Sequence, residues 1–168
     1  KDPPELQFRH DMVRAKLAGY FDRPEAVARR YPQSNNSLPA QYARVMSSYR
    51  WSNIRAALSQ VDGLIAAQPR NPYFHELKGQ FLFESGKSAQ AIEPLREAVR
   101  LNPNESLIRI MLGQALVGTG NPKLVDEAIT NLRTAMASGE TSSMGYRQLA
   151  AAYARKAETA QGSGAKRN

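Results

Sequence analysis

Counted from Pro72, the chain repeats itself with a period of about 34 residues, the spacing of arrays built from helix pairs. One period carries small residues at Gly79, Ala91 and Ala98, a turn glycine at Gly86 and a closing proline at Pro103. Ala57 and Pro69 stand one period before Ala91 and Pro103, and Gly113 stands one period after Gly79. Further along the offset grows by three, from Ala91 to Ala128, Ala98 to Ala135 and Gly113 to Ala150. Three spacings with one offset require a three-residue insertion between Gly113 and Ala128, placed most simply at Gly120-Asn121-Pro122. In such arrays no single pair can bury its apolar face alone.

The pattern resembles the tetratricopeptide repeat, a helix, a turn and a second helix per unit. The resemblance implies an all-α solenoid of antiparallel hairpins wound as a right-handed superhelix. Small residues then belong where helices cross, at Gly79, Gly113 and Ala150 on first helices and at Ala57, Ala91 and Ala128 on second helices. Larger residues at helical spacing fill the core: Tyr42, Val45 and Tyr49; Leu82 and Leu95; Leu112, Leu116 and Leu132; Tyr146, Leu149 and Tyr153.

Local chemistry sets the boundaries. Pro69, Pro72 and Pro103 start or stop helices, because proline lacks the interior N–H and restricts the residue before it. Asp22 to Glu25 reads as a capping box with Pro24 early in the helix. Upstream, Leu6, Val13, Leu17 and Tyr20 form one stripe, and Gln33-Ser34-Asn35-Asn36-Ser37 is a polar loop. The expected organisation is an atypical helical hairpin and loop over 1–37, a repeat array of about three repeats plus a final helix over 38–161, and a disordered tail over 162–168.

The chain has 168 residues, 42% of them hydrophobic, room for one solenoid core without a separate catalytic domain of usual size. No run of about 18 apolar residues is present, so no membrane span is expected. The chain begins at Lys1 and carries no signal peptide, which suggests a processed or excised fragment. With no cysteine, thiolate zinc sites, disulfides and thiol nucleophiles are all excluded, and an oxidising compartment is compatible. The net charge of +8 raises nucleic acid as a partner. By segment, however, the balance is +4 over 1–50, +1 over 51–100, 0 over 101–150 and +3 over 151–168. Charge gathered at the ends does not make the continuous groove that nucleic acid requires.

Two short motifs imitate chemistry. His75-Glu76-Leu77-Lys78-Gly79 opens like a zinc-peptidase helix, but Gly79 stands where the second histidine must be. Ser85-Gly86-Lys87-Ser88 resembles the end of a phosphate-binding loop, yet it follows a helix and lacks the first glycine; Gly118-Thr119-Gly120 lacks the third glycine of a dinucleotide fingerprint. His10 and His75 are far apart in the array, and Glu93, Glu97 and Glu105 read as solvated helix faces. No catalytic and no metal-binding residue is assigned.

The run Asp2-Pro3-Pro4-Glu5-Leu6-Gln7-Phe8-Arg9-His10-Asp11-Met12-Val13-Arg14-Ala15-Lys16-Leu17 resembles the segment after the protease domain of BepA-type periplasmic zinc metalloproteases. Arg30-Tyr31-Pro32 and the stretch Asn36 to Arg44 share that resemblance, which covers nearly the whole chain. It implies the non-catalytic repeat domain of a bacterial envelope protease, with zinc held only in the attached protease domain, a periplasmic location, and outer-membrane assembly components among the partners. No cofactor or small-molecule substrate is expected of this chain itself.

In the repeat architecture the concave groove is lined by the second, fifth, ninth and twelfth places of each first helix. Mapped here, the groove consists of Ser47 and Arg50; Tyr73, Glu76, Gln80 and Phe83; Leu107, Ile110, Gln114 and Val117; and Arg147 with Ala151. The expected function is binding of a protein or peptide in that groove for the attached protease. A structural or self-associating domain that restrains the protease is the alternative, and a basic nucleic-acid-binding helical domain is disfavoured.

Overall fold

A computed structural model describes residues 4–139 and 142–165, and every regular element among them is helical. The helices are α1 (Pro4–Phe21), α2 (Pro24–Arg30), α3 (Leu38–Ser47), α4 (Ile54–Ala67), α5 (Pro72–Glu84), α6 (Ser88–Leu101), α7 (Ser106–Gly118), α8 (Val125–Ala137) and α9 (Ser143–Ala165). A π-turn over Ser48–Ser52 follows α3, and a 3-10 turn over Pro122–Leu124 precedes α8. The chain divides into two compact units, Lys1–Arg70 and Asn71–Asn168. The expected division at residue 37 falls inside the first unit, where α1 packs against α3.

Asparagine caps recur at the starts of elements, each accepting a backbone N–H two residues on: Asn53 from Arg55, Asn71 from Tyr73 and Asn121 from Lys123. Pro72 and Pro122 follow two of them at the first helical place, where a missing N–H costs nothing. The capping box expected at Asp22 does not form. Arg23 is the N-cap of α2 and makes no side-chain cap bond, with Pro24 alone setting the helix start.

In the second unit the core is built on two equivalent crossings. A β-carbon on Gly79 would lie 2.6 Å from Leu95 Cδ2, and one on Gly113 would lie 2.6 Å from Leu132 Cγ. In the first unit Val45 and Val61 occupy the corresponding places, both buried. There α1 approaches α3 through Ala15, Ala18 and Gly19, and a β-carbon on Gly19 would lie 2.7 Å from that of Met46.

Further expectations are corrected. The stripe on α1 faces solvent, with Leu6, Val13, Leu17 and Tyr20 all exposed, because the opposite, small-residue face makes the packing. Tyr146, Tyr153 and Ala150 are also exposed: among the described residues no second helix pairs with α9 to cover them. The insertion lies two residues later than expected. Gly120 has φ +68° and is the turn glycine itself, one period after Gly86 at φ +76°, so the three extra residues are the turn Pro122–Leu124. Helix α9 continues through Gly162 to Ala165, inside the span expected as a tail; residues 166–168 lie outside the described residues. No helix among the described residues is long and apolar enough to cross a membrane.

Candidate interaction surface

In the second unit α5 and α7 are the first helices of their hairpins, α9 follows at the same place in the array, and cap bonds fix where each begins. Tyr73 N–H donates to Asn71 at 3.0 Å, and Leu107 N–H donates to Glu105 at 3.4 Å, which places both as the second residue of a helix. Ser142 Oγ accepts from Gly145 N–H at 3.2 Å at the start of α9, where Met144 is the second residue. Tyr73, Leu107 and Met144 therefore share one repeat place. They are 52%, 55% and 46% exposed, far from the near-zero exposure of the core.

The remaining sequence-derived groove residues fall into different environments. Glu76, Gln80, Phe83, Gln114, Val117 and Ala151 are half-buried, and Arg147 is exposed. Gln80 Nε2 donates to Glu84 at 3.0 Å. Phe83 packs against the end of α7, its Cε2 only 3.1 Å from where a β-carbon on Gly118 would sit. Val117 lines a cavity of about 230 Å³ together with Pro122, Val125 and Arg155. Ile110 is buried at 2% exposure, because it packs where Gly145 brings α9 close.

Ser47 and Arg50 belong to the first unit. Ser47 is buried, and counting one period back from Gln80 and Phe83 arrives instead at Met46 and Tyr49. Met46 is buried in turn beneath α1. Arg50 is exposed, its guanidinium 4.5 Å from the Trp51 ring centre and 5.7 Å from that of Tyr20. Met144 is absent from the sequence-derived groove, although the lengthened period counted from Leu107 leads straight to it.

Charge is organised on the second helices. Arg96 of α6 reaches Glu127 of α8 through Nε at 2.8 Å and Nη2 at 2.7 Å, and also bonds Glu93. The hydrogen bond to Glu127 is the largest cause of an Arg96 pKa raised above its ordinary value. Glu97 pairs with Arg100 on the same helix face, and Glu105 caps α7. Among the described residues, no three His, Cys, Asp or Glu side chains cluster as metal ligands would.

A tetratricopeptide-repeat family model matches residues 29–161, and the chain belongs to that family. Its fold is similar to that of the solved chain named MamA MSR-1 C2, with TM-score 0.69 and 19% identity, covering 94% of this chain and 91% of that one. MamA AMB-1 C2221 aligns at TM-score 0.69 and 19% identity over 89% and 88% of the two chains, and a solved MamA mutant aligns at 0.68 and 16% over 93% of each. No curated protein matches in sequence. Tetratricopeptide-repeat domains typically bind other proteins.

Proposed function

We propose that the chain is the non-catalytic interaction module of a zinc metalloprotease in the bacterial envelope, and that the α5–α7–α9 face holds a protein segment for that protease. The observation that carries the binding face is the row Tyr73, Leu107 and Met144, three large apolar side chains exposed at one repeat place. Isolated exposed apolar residues are ordinary, whereas a row repeated in register is what an extended partner reads. Arg147 adds positive charge at the α9 end, and the half-buried amide of Gln114 offers hydrogen bonds.

The attachment to a protease, the periplasmic location and the outer-membrane assembly partners rest on the resemblance of residues 2–17, 30–32 and 36–44. A reading frame that encodes a His-Glu-x-x-His helix ahead of Lys1 would support the attachment, and one that encodes an unrelated domain would refute it. Binding is tested by calorimetry with an unfolded outer-membrane β-barrel polypeptide. The triple variant Tyr73→Ala, Leu107→Ala, Met144→Ala should lose at least tenfold in affinity; unchanged affinity would remove the face from consideration.

A second reading, self-association, is favoured by the exposed α9 residues Tyr146 and Tyr153. Size-exclusion mass measured over a concentration series separates the two, since only self-association shifts it.

A further inference from the structure

Helix α1 carries apolar residues on two opposite faces. Its small residues Ala15, Ala18 and Gly19 are buried on the side that packs against α3, which leaves the large ones pointing away. At about 100° per residue, Leu6, Val13, Leu17 and Tyr20 fall within a sector about 60° wide. Each is at least 40% exposed. The row runs roughly 21 Å along the helix at about 1.5 Å per residue. Phe21 and Trp51 extend it past the end of α1. Phe21 is the most exposed large apolar side chain among the described residues, and its ring stands edge-on to Tyr20 with the centroids 5.1 Å apart. The Arg50 guanidinium lies over the rings of both Tyr20 and Trp51. Single exposed apolar residues are ordinary, whereas a contiguous exposed patch marks a surface that something covers.

The borders of the row are cationic. Arg9 and Lys16 fall on one side of it and Arg14 on the other, all three exposed, with Arg50 among the rings at its end. The two carboxylates of α1 lie off the row. Glu5 pairs with Arg9 at 3.0 Å, and Asp11, half-buried on the opposite side of the helix, accepts from Gln7 Nε2 at 3.0 Å. The next carboxylate, Asp22, comes after the helix has ended. Arg14, Lys16 and Arg50 pair with no carboxylate among the described residues. The row and its borders therefore want an apolar layer edged by anions.

We propose that the outer face of α1 and the adjoining rings form a docking surface for a membrane leaflet rich in anionic lipid, with the helix lying along the surface. The apolar row enters the acyl boundary, and the flanking Arg and Lys side chains reach along their alkyl stems to the phosphate headgroups. Tyr20 and Trp51 suit that depth, since each is an apolar body with one polar tip. A single exposed helix is a ridge. A folded protein would need a groove of matching shape with carboxylates along both walls, whereas a deformable leaflet meets both flanks with phosphate at once. The surface belongs to the first unit and is independent of what the α5–α7–α9 face binds.

Trp51 is the only tryptophan of the chain and reports the contact directly. At low salt the whole chain should sediment with vesicles of equal parts phosphatidylcholine and phosphatidylglycerol, with Trp51 emission shifted to shorter wavelength, and should leave vesicles of phosphatidylcholine alone unbound. Val13→Gln with Leu17→Gln places a good helix former at two exposed positions and should lower partitioning about tenfold or more at unchanged Tm. Arg14→Gln with Lys16→Gln should do the same, whereas Lys87→Gln with Lys123→Gln, which removes equal charge from the second unit, should bind like the parent chain. The proposal is overturned if anionic vesicles are not bound, if phosphatidylcholine alone is bound as well, or if binding leaves Trp51 emission unchanged. It is equally overturned if either first-unit pair binds like the parent chain or if the second-unit pair weakens binding as much. An emission shift produced by a soluble acidic amphipathic peptide and not by vesicles would give the face to a protein partner and overturn it too.

Discussion

Leu95 fills the space that a β-carbon on Gly79 would need, its Cδ2 lying 2.6 Å from that position. Leu132 stands in the same relation to Gly113. Gly79→Ala and Gly113→Ala should each force the leucine from its rotamer and cost about 1–3 kcal/mol. Gln80→Leu, on the neighbouring half-buried face, should change stability by about 0.5 kcal/mol or less. Urea denaturation followed by far-ultraviolet dichroism measures all three, and equal costs would disprove the crossing assignment.

Tyr73 and Phe83 are equivalent as groove residues in the sequence but not in the fold. Tyr73→Ala should weaken partner binding by about 1–2 kcal/mol with no change in melting, as an exposed anchor does. Phe83→Ala should also lower stability, because the ring packs on Gly118 at the end of α7. Calorimetry paired with thermal denaturation separates the two effects.

Two exposed ion pairs predict opposite pH limits. Lys156 donates to Asp126 at 2.8 Å, and that bond raises the ammonium pKa. A cation with a raised pKa contributes stability that is fully present below the unfolded value of about 10.4 and is lost as pH rises through the folded one. Glu97, bonded to Arg100, is shifted down, so its contribution is present above the unfolded value of about 4.3 and is lost as pH falls through the folded one. The stability gap to Lys156→Gln should therefore close in strong alkali while that to Glu97→Gln persists there, and the gap to Glu97→Gln should close in acid. Equilibrium denaturation over a pH series would show it.

Pro94 lies inside α6, where it cannot donate to the carbonyl one turn earlier. Pro94→Ala should restore that bond and raise stability by about 1–3 kcal/mol, read from the denaturation midpoint at unchanged m-value. A loss of stability would mean that the neighbouring helices are fitted to the helix with proline in place.

The helix pairs are legible in the sequence because small residues at helix crossings and prolines at helix ends recur at the repeat spacing, as Ala57, Ala91 and Ala128 and as Pro69 and Pro103 do. What faces solvent is less legible. Periodicity identifies an apolar stripe but not whether another helix covers it, so Leu17, which lies on such a stripe, and Tyr153, which reads as core, are both exposed. Ser47 is one residue out of register, since no small-residue marker precedes Ala57 to fix the count on α3. Met144 is within reach of arithmetic alone.

The three-residue turn Pro122–Leu124 leaves the Gly113–Leu132 crossing as tight as its counterpart at Gly79–Leu95, so the fold absorbs added length in the connection and keeps the helix interface unchanged. That makes the Gly120–Leu124 seam a natural splice point for an epitope or fluorescent reporter. An insert there would lengthen a surface connection, at an entropic cost that grows only slowly with its length.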